Sequence, residues 1–123
     1  MKNQILALAG GVGGAKLALG LYKTLYPNQL TIVVNTGDDE EFHGLKVSPD
    51  LDTVMYTLAG IYDNTSGWGL KNETFNALRM LKTYGVATWF NLGDKDLATH
   101  IERTKLIRSG WTFLCLRVPL WAT

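Results

Sequence analysis

A single cysteine, Cys115, stands in 123 residues. The chain can therefore build neither an internal disulfide framework nor a cysteine-based zinc site. Histidine is equally scarce: His43 and His100 are the only two, and neither has the second histidine four residues away that a zinc helix carries. Both read as surface or hydrogen-bonded residues. No apolar run reaches the length of a membrane span. The formal net charge is +1, with both signs interspersed and no basic stripe, so neither nucleic acid nor a membrane is expected as a partner. Met1-Lys2-Asn3-Gln4 leads into an apolar run too short for a secretory signal, which makes a cytoplasmic protein the expectation. There is no internal repeat, and the length suits one domain or part of one.

What the sequence does have is glycine in a telling place. The apolar run Ile5-Leu6-Ala7-Leu8-Ala9 empties into Gly10-Gly11-Val12-Gly13-Gly14-Ala15-Lys16. The pattern predicts a strand over 4–9, a glycine turn over 10–14 and a helix over 15–25. Such a turn brings backbone N–H groups to a phosphate with no Cβ in the way, at the positive end of a helix dipole. Gly10, Gly11, Gly13, Gly14 and Lys16 are the candidate phosphate or nucleotide contacts. The Walker Gly-Lys-Ser/Thr is absent, and Lys16 stands where a dinucleotide fingerprint would put its third glycine. A tight turn that binds nothing is the plainer alternative, with Lys16 merely solvated.

Leu30-Thr31-Ile32-Val33-Val34 predicts a second strand, over 30–35, parallel to the first and buried on both faces. The fold class is then α/β, Rossmann-like, a mostly parallel sheet with flanking helices. Ligands in such sheets lie beyond the carboxyl ends of the strands, so Asn35-Thr36-Gly37-Asp38-Asp39 faces the same crevice as the glycine turn. A polar loop is expected from there to Val47. Ser48-Pro49 then opens a helix over Thr53–Ala59, and further helices are expected from Asn72 to Tyr84 and from Leu97 to Ser109. Asp50 and Asp52 flank Leu51 at the first helix start; they read either as helix caps or as Mg²⁺ ligands and a base for a hydroxyl nucleophile. Asp94 and Asp96 around Lys95 carry the same ambiguity. Trp68 and Trp89 stack on a planar ligand or belong to the core.

Five blocks occur in order: Ala9-Gly10-Gly11-Val12-Gly13-Gly14-Ala15-Lys16-Leu17, Val33-Val34-Asn35-Thr36-Gly37-Asp38-Asp39, Ser48-Pro49-Asp50-Leu51-Asp52-Thr53-Val54, Gly67-Trp68-Gly69-Leu70, and Trp89 through Leu92-Gly93-Asp94-Lys95-Asp96-Leu97-Ala98-Thr99-His100. Together they resemble the 2-phospho-L-lactate transferase family of coenzyme F420 biosynthesis. The resemblance implies transfer of a phospholactyl or phosphoenolpyruvyl group from a guanylyl-diphospho donor to the deazaflavin FO, with release of GMP. It also implies Mg²⁺, a Rossmann-like core and a homodimer. On this reading Asp50 and Asp52 are catalytic and metal-binding, and Asn35, Thr36, Asp52, Asn91, Asp94 and Lys95 contact FO. The family is longer than this chain, and residues 111–123, an apolar segment containing Trp111, Phe113 and Trp121, depart from its pattern. The expected division is residues 1–110 as the N-terminal part of a transferase domain and 111–123 as a divergent tail left by truncation or a shifted frame. The chain alone is expected to be inactive and poorly soluble. Two alternatives stand beside this reading: a nucleotide-sugar-binding regulator of the gluconeogenesis-factor type, and a fragment without function.

Overall fold

The structure is a computed structural model that describes residues 3–66 and 69–111. Trp68 and the segment 112–123, with Cys115, lie outside the described residues. The elements run β1 (Ile5–Ala9), α1 (Gly11–Thr24), a 3-10 turn (Pro27–Gln29), β2 (Leu30–Val34), β3 (Glu40–Phe42), β4 (Leu45–Val47), α2 (Pro49–Leu58), α3 (Asn76–Thr83) and α4 (Asp94–Arg108). β1 and β2 pair in parallel with Ala9 opposite Val34, and α1 is the crossover between them. This is an incomplete α/β Rossmann-like domain. No helix among the described residues is long and apolar enough to cross a membrane.

α1 starts at Gly11, four residues before the predicted start. The glycine segment is the helix's own first turn rather than a loop ahead of it. Gly11 takes φ 63°, a value that favours glycine. Gly14 lies against β1: a Cβ there would stand 3.0 Å from Ala9 Cα and 3.2 Å from Ala9 C. That close approach lets Ala15 and Ala18 of α1 pack with Ala9 and with Val54 of α2 into one small core.

The second strand is not buried on both faces. Its inward residues Ile32 and Val34 pack on that core, while Val33 is 46% exposed and the neighbouring Leu8 of β1 74% exposed. Helices cover only one face of this sheet among the described residues. The predicted polar loop to Val47 also holds a hairpin. β3 and β4 pair antiparallel with Phe42 opposite Leu45, and His43 (φ 53°) and Gly44 (φ 76°) make the two-residue turn, the left-handed pair that a tight hairpin favours. The short strands escape a periodicity reading because three residues carry too little alternation.

α3 starts at Asn76 rather than Asn72, and α4 at Asp94 rather than Leu97, because the two helix starts cap each other. The Asp94 carboxylate accepts from Thr74 Oγ1 at 2.6 Å and from the Asn76 and Ala77 N–H groups at 3.0 and 2.9 Å. The Glu73 carboxylate returns the favour to the Lys95 and Asp96 N–H groups at 2.9 and 3.1 Å. A Cβ at Gly93 would occupy the space of the Glu73 carboxylate, so a larger residue there would displace that cap.

Two glycines one position apart should respond oppositely to the same methyl group. Gly14→Ala drives its Cβ into the β1 backbone and should cost about 1–3 kcal/mol. Gly13, with nothing within 4 Å of its Cβ position, should tolerate alanine or gain up to about 1 kcal/mol in helix propensity. Urea unfolding of the two variants measures the difference.

Candidate functional site

Three segments meet at the carboxyl end of β1. Gly10, the residue before α1, makes no side-chain cap. The first bond inside the helix runs from Gly14 N to Gly10 O, so the N–H groups of Gly11, Val12 and Gly13 have no acceptor within the helix. They point outward where a helix dipole is positive and favour an anion. From the end of β2 comes Asn35. Its Oδ1 accepts from Gly37 N at 3.0 Å, and its Nδ2 donates to Asp50 Oδ2 at 2.8 Å. Asp50 sits in the first turn of α2. A Cβ on Gly10 would stand 3.3 Å from Asp50 Oδ2 and 3.4 Å from Asn35 Cβ, so a side chain there would crowd this corner. Thr36 is exposed beside it, and Lys16 is exposed one turn along α1.

Ser48, at the N-cap position of α2, is buried but caps nothing. Its hydroxyl donates to Asp39 Oδ2 at 3.1 Å instead, which ties the loop after β2 to the start of α2. Asp39 thus helps hold the crevice together.

Asp50 and Asp52 face different surroundings. Two residues on a helix are about 200° apart, and Asp52 points to the opposite side of α2 into a buried cluster. The guanidinium of Arg103, itself 3% exposed, pairs with both Asp52 oxygens and also donates to Lys46 O at 3.3 Å. His100 Nδ1 lies 3.7 Å from Asp52 Oδ2, and its Nε2 lies 3.1 Å from Asp96 Oδ2. Tyr56 OH donates to Asp96 Oδ1 at 2.6 Å and contacts Thr99 Oγ1 at 2.8 Å. Burial pushes the Asp52 carboxyl up to about 6 although Arg103 pulls it down. Burial also opposes ionisation of Asp96, but the bond and charge of His100, the Tyr56 hydroxyl and Arg103 outweigh it and hold that carboxyl below its ordinary value. Asp52, Asp96 and His100 each offer a ligand atom, all within 4.8 Å of one another, and that mixed set could hold a metal ion. The Arg103 cation already neutralises Asp52 there.

Sequence reasoning missed Tyr56, Asp96 and Arg103 as a network with His100. The signal was the spacing 96, 100, 103, which places three polar residues on one face of α4.

The predicted acceptor residues divide. Asn35 and Thr36 lie at the glycine corner, whereas Asn91, Asp94 and Lys95 lie before and at the start of α4. The hydrogen bond from Thr74, with those from Ala77 and Asn76, holds the Asp94 carboxyl down at about 2, so its oxygens are engaged in capping. Lys95 Nζ donates to Lys71 O at 2.8 Å and lines a cleft of about 460 Å³ with Tyr56, Ile61, Leu70 and Ala98. Trp89 is exposed and stands edge-on to Phe42 and Phe90, which stack on each other at 4.3 Å.

Residues 5–114 match the family described as 2-phospho-L-lactate transferase CofD. The chain belongs to that family. Among similar proteins are those named phosphoenolpyruvate transferase. The one from Streptomyces avermitilis is 50% identical over 109 residues, which cover 88% of this chain and 34% of that protein. The one from Mycolicibacterium smegmatis is 48% identical over 118 residues, with 88% and 36% covered. The one from Mycobacterium tuberculosis is 47% identical over 122 residues, with 88% and 37% covered. The chain spans about a third of the length of these relatives. The resemblance read from the five blocks is thus borne out at family level.

Removing Arg103 should leave a buried carboxylate without its counter-charge. Arg103→Met is expected to cost about 3–5 kcal/mol at neutral pH, and Asp52→Leu with Arg103→Met should recover most of it. An aspartate whose folded-state pKa is raised binds its proton more readily when folded, so its neutral form favours folding at low pH. That advantage is lost as pH rises through the raised pKa, already about 6 with Arg103 present and higher without it. Arg103→Met should therefore regain stability on going from pH 7 to pH 5 relative to the unsubstituted chain, as denaturant titrations at the two pH values would measure.

Proposed function

We propose that this chain forms the donor-phosphate corner, and part of the acceptor seat, of a transferase that joins a phosphoenolpyruvyl or phospholactyl group to FO with release of GMP. One observation carries the reading: the open N–H groups of α1, the Asn35 amide and the Asp50 carboxylate converge beside Gly10, where a Cβ would close the space. The names of the relatives favour the phosphoenolpyruvyl donor.

In this reading the diphosphate lies on the N–H groups of Gly11, Val12 and Gly13, and Lys16 reaches it from the next turn. The terminal ribityl hydroxyl of FO attacks the distal phosphorus. The bond from that phosphorus to the GMP oxygen breaks, GMP leaves, and Asp50 takes the hydroxyl proton. Such a transfer depends on positioning and charge neutralisation more than on covalent catalysis.

The donor set fits Mg²⁺ at Asp50. This ion takes one or two carboxylates with phosphate oxygens; Asp50 Oδ1 has no donor among the described residues, and no cation pairs with Asp50 there. The fit fails at Asp52, whose oxygens are held by Arg103. Mg²⁺ bound at Asp50 would supply charge neutralisation to the phosphates. Asp52 acts instead through Arg103, fixing the helix that presents Asp50. Lys95 holds FO at the other end of α2, and Asn35 and Thr36 hold its ribityl chain. The homodimer is part of the same proposal.

Calorimetry of the chain with GDP tests the donor half. Binding should need Mg²⁺, and Asp50→Asn should weaken it at least about tenfold, the loss of one charged ligand. GDP binding indifferent to both would remove Asp50 from the metal site, and preference for a UDP-sugar would favour the regulator reading. GMP release from a guanylyl-activated donor and FO should stay undetectable with this chain alone; measurable turnover would contradict the assignment of only part of the site to it.

A further inference from the structure

The cleft at the C-terminal end of α2 is built asymmetrically. Ile61, Leu70 and Ala98 give it apolar walls, and Tyr56 and Thr99 spend their hydroxyls on each other. Asp96, which accepts the Tyr56 hydrogen bond, is not among the lining residues. Among the described residues, the charged groups lining the cleft are Lys71 and Lys95. Both ammonium groups are held in place: Lys71 Nζ donates to Gly60 O at 2.9 Å and Lys95 Nζ to Lys71 O at 2.8 Å. The two lysines are thus chained through one backbone, and each keeps two of its three N–H donors for a ligand. Small-molecule sites of about 300–1,000 Å³ combine an apolar body with a few placed polar groups in the same way.

We infer that Lys71 is a specificity-determining residue for the acceptor: with Lys95 it selects a flat, largely apolar molecule that carries acceptor oxygens or a negative charge along one edge. The inference rests on the proposed FO chemistry and adds to it a residue outside the five blocks. The ring lies between Ile61, Leu70 and Ala98, and its oxygen-bearing edge meets the two ammonium groups. A ring with a cationic or purely hydrocarbon edge leaves both lysines unmatched and is rejected. Lys71 contacts the ligand without taking part in bond breaking, so its loss raises the dissociation constant and leaves the glycine corner untouched.

The test is a titration of the purified chain into FO, followed by FO fluorescence at several salt concentrations. The unsubstituted chain should give a saturable change that weakens with salt. Lys71→Ala should weaken binding about tenfold and flatten the salt dependence, as loss of a charge-assisted contact does, and Lys71→Arg should restore most of both. GDP binding and the unfolding midpoint should be unchanged in Lys71→Ala, because the side chain is exposed. Equal FO affinity in Lys71→Ala and the unsubstituted chain would overturn the role of Lys71 and leave the acceptor reading standing. No change in FO emission with the unsubstituted chain would sink both.

Discussion

Arg103 is the residue on which the arrangement turns. Its guanidinium joins three elements that are far apart in sequence: α4, which carries it, α2 through Asp52, and β4 through the Lys46 carbonyl. The Lys46 N–H is taken by Thr104 Oγ1 at 2.8 Å, so one residue of β4 is gripped at both backbone groups by consecutive side chains of α4. A buried ion pair of this kind adds little net stability compared with an apolar contact. What it supplies is a fixed rotation of α2. Asp52 can reach Arg103 in one orientation of the helix, and that orientation turns Asp50 to the other side, towards Gly10 and Asn35.

α2 then serves as a short beam of about 15 Å with a different chemistry at each end. Its first turn presents a carboxylate to the open start of α1. Its last turns present Tyr56 to the cleft bounded by α4. Burial and the carboxylates Asp52 and Asp96 keep the Tyr56 hydroxyl protonated, with its pKa raised, so it remains a donor to Asp96 and adds no negative charge beside the two lysines. The same packing that buries the Asp52–His100–Asp96 cluster therefore leaves a cleft wall that is neutral, with the positive charge gathered on Lys71 and Lys95.

The β1–α1–β2 unit was legible because its signals are local: an apolar strand, glycines at one turn, a second β-branched strand. The glycines were read correctly as a feature of the strand end, yet their separate tasks were not visible. Gly14 is spent on the close approach to Ala9, Gly11 on its positive φ, and Gly10 on leaving room for Asp50. That Asp50 and Asp52 lie on different faces of α2 was not legible, because sequence adjacency says nothing about which face a partner lies on. The partner that decides it, Arg103, is 51 residues away. Asp94 stayed open between helix cap and metal ligand for the same reason: the N–H groups it caps belong to the helix before it, 17 and 18 residues earlier.

The two halves of the candidate site also differ in what they need in order to form. The glycine corner depends on β1, α1, β2 and the start of α2, and its small core of Ala9, Ala15, Ala18 and Val54 lies wholly within the first 54 residues. Its contacts close short loops, which is entropically cheap. The cleft depends on contacts between Tyr56 and residues 40 and 43 positions further on, and on the reciprocal capping of α3 and α4. Opening α4 would abolish the cleft and unpair Asp52, while Gly10 and Asn35 would keep their places through the strand pairing of Ala9 with Val34. On the proposed reading the glycine corner is therefore the more robust half of the site and the cleft the more fragile one, because only the second depends on a buried charge finding its partner across the chain.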